Sequence, residues 1–386
     1  MRTEKNAVGL KNRDYNFIDL MKFICAALVV SIHVSPLSGI DWRLNYILKD
    51  FISRIAVPFF FVSSAYFVFL KAYDEKGVLN KGVILNYIKR ILRLYIIWSC
   101  IYAPFAFYHI KEIMPDVSVP GFLKYYTIRF FLSTSYGHLW YLNAVIVAYL
   151  IFLILIFLKI RPKAIAGFSL VMYCLGLLAQ SWFGMILPLR RFTAVWSFLL
   201  NLKMIFNTTR NGLCDGLIFI LIGLYFAKYR PYIKSAYCLF IGSVLFYAAE
   251  FLIVSKLGWI REFDMYLGLI PTVFLLFYIS LNINLPDRPI YKKLRNISGL
   301  VYFSHMLIVE CLIILPCLNN LPGGGLTEYI LTLFLSVAFS AAVIMLSGHL
   351  PLFKYLYKKR PSQKASKSKK RSNGFLDGKK TIFHKS

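Results

Sequence analysis

Ten apolar runs, each about as long as a helix needs to cross a bilayer, divide this chain from one end to the other. They cover residues 17–38, 50–70, 86–108, 139–158, 165–181, 213–229, 236–255, 266–282, 298–316 and 327–348. A hydrocarbon layer about 30 Å thick takes about 20 mostly apolar residues at 1.5 Å each. One soluble core cannot absorb ten such runs. The residues are 59% hydrophobic and only 16% charged, against about 45–50% and 25% in a soluble domain. The expected fold class is an all-α membrane protein of about ten transmembrane helices.

The formal charge of +28 invites a nucleic-acid reading. A nucleic-acid binder gathers its basic residues on a folded face. Here they stand in short blocks between apolar runs, the pattern of cytoplasmic loops facing anionic lipid. With the N-terminus inside, the inner segments hold 32 of the 45 Lys and Arg residues and the outer segments 12, Lys22 lying within a span. Both termini are then cytoplasmic. The stretch 185–205 is apolar but carries Arg190, Arg191 and Lys203. As an eleventh span it would put the twelve basic residues from Lys354 onward outside, so it is expected to be a re-entrant or interfacial segment of the outer side. The chain divides into a cytoplasmic arm over 1–16, a membrane domain over 17–353 and a basic tail over 354–386, which lacks the apolar residues to fold alone. The first apolar run has no small-residue cleavage site and reads as a retained helix. Of the seven cysteines, most lie inside apolar runs and none forms a C-x-x-C pair; no disulfide framework and no metal site is expected.

An ionisable group at membrane depth costs about 2.5–3.5 kcal/mol and usually marks a function. The first run holds Asp19, Lys22 and His33. Asp19 and Lys22 are one turn apart, and His33 follows Lys22 by eleven residues, close to three turns, so all three fall on one stripe. His33 lies about 24 Å beyond Phe17, toward the outer side. Two readings stand. Lys22 snorkels to the inner interface with Asp19 as its partner and His33 bonds a neighbouring backbone, or the stripe serves chemistry. The third run opens on YIKRILRLY, where Arg90 and Arg93 share a face beside Lys89. They are either ordinary inner-side decoration or a phosphate clamp, since a guanidinium binds phosphate as a fork.

An aspartate, a basic residue three positions on and a histidine eleven positions after that, all in the first run, resembles the acyltransferase-3 family. PFFFVSSAYF at 58–67, GHLWYL at 137–142, RNGLCDGLIFILIGLYF at 210–226 and SGLVYFSHML at 298–307 are similar to later family segments, and Arg90 and Arg93 match its paired-arginine motif. The family usually has arginine where this chain has Lys22, which keeps the charge but loses the bidentate fork. The resemblance runs from about Asp19 to the tenth run.

The resemblance implies a bacterial plasma (inner) membrane enzyme that moves an acyl group, most often acetyl, from cytoplasmic acyl-CoA to a hydroxyl of a cell-surface polysaccharide or lipid-linked sugar. It makes His33 the general base or a transient acyl carrier, with Asp19 and Lys22 as catalytic companions, and it gives Arg90 and Arg93 to the acyl-CoA phosphates. His138, Arg210 and His305 are candidates for binding the acceptor; Asp215, Arg190, Arg191 and Glu310 are softer ones. The rival class is an exporter of a polysaccharide or lipid-linked sugar without acyl transfer, because buried charges serve transport as well as catalysis.

Overall fold

The computed structural model describes residues 15–74, 76–194, 196–197, 208–314, 325–350 and 353–356. Most of the N-terminal arm, residues 195 and 198–205 of the ambiguous segment and nearly all of the basic tail lie outside the described residues. The described chain is helical, with no strand and one isolated bridge between Tyr73 and Leu79. In order the helices are α1 (Asn16–Val34), α2 (Trp42–Asp50), α3 (Ala56–Ala72), α4 (Lys81–Ile113), α5 (Val119–Leu132), α6 (Trp140–Phe157) and α7 (Pro162–Leu177). They continue with α8 (Leu217–Tyr229), α9 (Ala236–Lys256), α10 (Leu269–Asn282), α11 (Pro289–Ile314), α12 (Gly325–Leu346) and α13 (Phe353–Leu356).

Each of the ten apolar runs holds a helix. Eight helical stretches among the described residues are long and apolar enough to cross a membrane. The other two are shorter: α7 ends four residues before the run 165–181 does, and α10 starts three residues after the run 266–282 begins. Hydrogen bonding explains both. At the end of α7 the Gly176 carbonyl accepts the Thr209 hydroxyl at 3.0 Å, and the chain turns away. At the start of α10 the Glu250 carboxylate accepts the backbone N–H groups of Leu267 and Gly268, at 2.9 and 2.7 Å, and so caps the helix where it begins. In the segment 185–205, the described part includes a 3-10 helix over Phe183–Arg191.

By contacts the chain forms two compact units, residues 1–341 and 342–386. The described part of the second includes the last turns of α12 and the short α13. In the first, α1 packs against α11 and α3, and α3 against α8. Ala26, Val30 and Val34 of α1 meet Val301 and Val309 of α11 in a buried seam. A Cβ on Gly223 would collide with Ala65 and the Val62 carbonyl, so glycine lets α8 lie directly on α3, the close approach that packing in lipid favours. Outer faces are apolar: Leu245 and Leu252 of α9 are each 65% exposed, tolerable where the solvent is lipid and every helical backbone group is already bonded.

Candidate functional site

The end of α1 sets the site. Ser35 adopts a left-handed conformation (φ 53°) and its N–H closes on the Ser31 carbonyl. Pro36 follows and cannot continue a helix. His33 is thus held in the last turn of α1. Two more histidines come up beside it. Ring centroids lie 5.2 Å apart for His33 and His305, 6.5 Å for His33 and His138, and 5.0 Å for His138 and His305.

His138 belongs to a 3-10 turn over Gly137–Leu139, pinned from several sides. The Tyr302 hydroxyl donates to the His138 carbonyl, the Thr134 hydroxyl donates to the Tyr136 carbonyl at 2.7 Å, and the hydroxyls of Ser99 and Ser135 meet at 2.6 Å. The tautomers follow from the acceptors, because a carbonyl oxygen only accepts. His305 Nδ1 lies 2.7 Å from the Tyr302 carbonyl and therefore carries the proton. His138 Nε2, 3.3 Å from the Phe303 carbonyl, is likewise the protonated nitrogen. That leaves His305 Nε2 and His138 Nδ1 as buried lone pairs with no partner among the described residues. Among the three rings, His33 alone is exposed, and it faces a cavity of about 110 Å³. Among the described residues, no group of three or more His, Cys, Asp or Glu side chains is arranged to hold a metal ion.

The same cavity is lined by charge. Arg54, in the 3-10 turn Ile52–Ile55, pairs with Asp50 and Asp264. Arg210 reaches the second oxygen of Asp264 at 3.0 Å and lies 4.9 Å over the Trp140 ring. Asp264 belongs to the loop between α9 and α10. Burial alone would raise its pKa, but the guanidiniums of Arg210 and Arg54 outweigh burial and hold the carboxyl below its usual range. The Nε atoms of both arginines are buried and have no partner among the described residues. Asp215 completes the lining from a π-helical turn over Gly212–Gly216. Asn211 caps that turn by accepting from the N–H groups of Leu213 and Cys214, each at 2.9 Å. Gly212 lies so close to the backbone of α6 at Ala144 and Ala148 that no Cβ fits. The wider turn carries Asp215 to the cavity, as such bulges often do at functional sites.

Among the residues that sequence singled out, His33, His138 and Arg210 line this cavity with Asp215, and His305 stands behind them. Asp19 and Lys22 are at the other end of α1. The buried Asp19 carboxylate pairs with Arg295 of α11 at 3.3 Å, and the Lys22 ammonium sits 4.5 Å over the Phe67 ring. Arg90 packs over Tyr87 at 5.2 Å, Arg93 is exposed, and neither lines the cavity. Arg190 and Arg191 lie over Trp196 and Phe192. Glu310 is engaged elsewhere, by the Tyr136 hydroxyl and by His109 Nε2 at 3.0 Å.

Sequence reasoning missed Arg54, Asp264 and Tyr302. Arg54 counts as an ordinary outer-side charge until its i−4 neighbour Asp50 is noticed as a partner. Asp264 and Tyr302 carry no local signal.

A model of the acyltransferase-3 family, described as an acyltransferase domain, matches residues 15–345. The chain belongs to this family. Among curated proteins it is similar to an amino-acid racemase of Enterococcus faecalis, 28% identical over 88% of this chain and 46% of that protein. It is also similar to a serine/alanine racemase of Enterococcus gallinarum, 27% identical over 83% of this chain and 45% of that protein. The chain spans about half the length of the curated relatives it matches. No solved structure matches it.

Proposed function

We propose that this acyltransferase-family protein moves an acyl group, in the simplest case acetyl, from cytoplasmic acyl-CoA to a hydroxyl of a cell-surface polysaccharide or lipid-linked sugar. One observation carries the reading: the accessible imidazole of His33 faces a cavity lined by the guanidiniums of Arg54 and Arg210. In this scheme a lone-pair nitrogen of His33 takes the proton of the acceptor hydroxyl as its oxygen attacks the thioester carbonyl. The carbonyl oxygen becomes an oxyanion, and the guanidiniums of Arg54 and Arg210, which line the cavity, stabilise it. The C–S bond then breaks, and the imidazolium returns the proton to the departing thiolate. Transfer of one acyl group leaves an ester and a free thiol.

Arg90 and Arg93 are proposed to hold the acyl-CoA phosphates at the cytoplasmic end. Tyr102, twelve residues on from Arg90 in α4, packs against His138 with ring centroids 4.8 Å apart. That separation is about 18 Å along the helix, a span that an extended pantetheine arm covers. This arrangement goes with ten spans, cytoplasmic termini and a plasma-membrane location. The test is NMR of surface glycan from wild-type and His33→Ala cells. Ester acetyl signals should vanish in the mutant, and their survival at wild-type levels rejects the proposal.

The relatives' names favour a second reading. Two are called racemases of amino acids, and the cavity is small. On this reading the shared half serves a small amino acid, bound or carried by the same cavity. Vesicles holding the purified protein would then take up labelled alanine or serine, and no uptake above empty vesicles would exclude carriage.

A further inference from the structure

Among the charged side chains of the cavity, one stands apart. Arg54 is engaged by Asp50 and Asp264, and Arg210 by Asp264. Asp215 lines the same cavity and is only 2% exposed. No side chain among the described residues donates a hydrogen bond to its carboxylate or forms an ion pair with it. Asp50 and Asp264 match the two guanidiniums, which leaves Asp215 with no cation of its own among the described residues. A carboxylate kept from water needs a cation or several donors. The chain has gone to some length to place it there, through a π-helical turn, a capping asparagine and a glycine seated on the backbone of α6.

We propose that the ligand of this cavity carries an ammonium group, that Asp215 binds it, and that its hydroxyl end faces His33. The proposal rests on the cavity being the acceptor site, as in the function proposed above, and it narrows the acceptor to an amine-bearing hydroxyl compound. Three observations converge on it. The carboxylate is unpaired and nearly all buried. It lines the same cavity as the exposed imidazole. Both arginines that might neutralise it are already turned to Asp264. An ammonium brings the missing cation and three N–H donors in one small group. A neutral polyol brings donors without the charge.

Serinol and glycerol make the test, because they differ only in an ammonium in place of the central hydroxyl. Purified protein in lipid nanodiscs is treated with diethyl pyrocarbonate without any acyl donor, and modification of His33 is read by mass spectrometry. The exposed His349 serves as the internal reference for reagent consumed by the amine. Serinol should protect His33 at a concentration about tenfold below that needed with glycerol, the discrimination expected of one ion pair. Asp215→Asn should abolish the difference. Equal protection by the two compounds, protection by neither, or a preference that survives Asp215→Asn overturns the proposal. The wild-type comparison needs no variant, so a poorly folding mutant does not blunt it. Because no acyl group moves in this assay, failed acyl transfer and failed amine binding are read separately.

Discussion

The two ends of α1 carry similar residues and are built in opposite ways. At the start, Asp19 is buried and paired with Arg295, while Asn16 donates to the Leu285 and Pro286 carbonyls at 3.3 and 3.1 Å. Polar groups there tie α1 to the chain around α11. At the far end His33 is exposed to a cavity, and around it stand a carboxylate, two arginine nitrogens and two imidazole lone pairs with no partner among the described residues. Native proteins satisfy nearly all buried polar atoms. Satisfied groups act as clamps. Orphaned atoms occur at both ends, since Asn16 Oδ1 and Arg295 Nε also lack a partner among the described residues; the far end differs in that its polar side chains line a cavity. Burial of charge alone does not tell the two apart; the cavity does.

This contrast breaks first at His33. His33→Ala should cut acyl transfer by about a hundredfold or more, the share of a general base, with the thermal midpoint unchanged. A large fall in the midpoint would make His33 a clamp as well. The opposite pattern is expected at Asp19. Asp19→Ala takes the Asp19 carboxylate away from Arg295 and should destabilise by about 3 kcal/mol. The paired change Asp19→Leu with Arg295→Met should recover most of that stability and keep acyl transfer. Recovered stability without activity would return Asp19 to the catalytic group that its place on the His33 stripe first suggested.

A smaller effect is expected at Gly212. Gly212→Ala forces a methyl against α6 and should cost about 1–3 kcal/mol, with a loss of amine protection at His33 because Asp215 moves. Retained protection would show that the π turn is not what places the carboxylate. The smallest effect is at the cytoplasmic end. Removing Arg90 or Arg93 should raise the KM for acetyl-CoA about tenfold at nearly unchanged kcat, as expected for lost ground-state binding. Undiminished acetyl-CoA binding in the double variant would reject the phosphate clamp and leave these arginines as lipid-facing charges.

Much of this was legible in residue order. Every apolar run holds a helix, because hydropathy over about 20 residues is a local property that lipid reads directly. His33 stood out because an ionisable residue in such a run is costly. Its companions were legible only as types. His138, Arg210, Asp215 and His305 each offered a chemistry, but nothing in their spacing says that they share a cavity, and Arg54 and Asp264 offered no reason to be chosen. Asp19 and Lys22 show the converse. They share a stripe with His33, yet three turns of helix separate Lys22 from it, and the structure gives them other neighbours.

Sequence by itself determined a helical membrane protein, the identity of its intramembrane charges and the family to which they point, because the partition of each residue between lipid and protein is set locally. Only the tertiary structure decided which of those charges are spent on one another and which are left open. That depends on helices far apart in the chain meeting at particular faces: α1 against α11, the turn before α6 under Tyr302, and the π turn seated on α6 by a glycine. The pairing of Arg210 with Asp264 across 54 residues takes a cation away from Asp215. No local pattern encodes that choice.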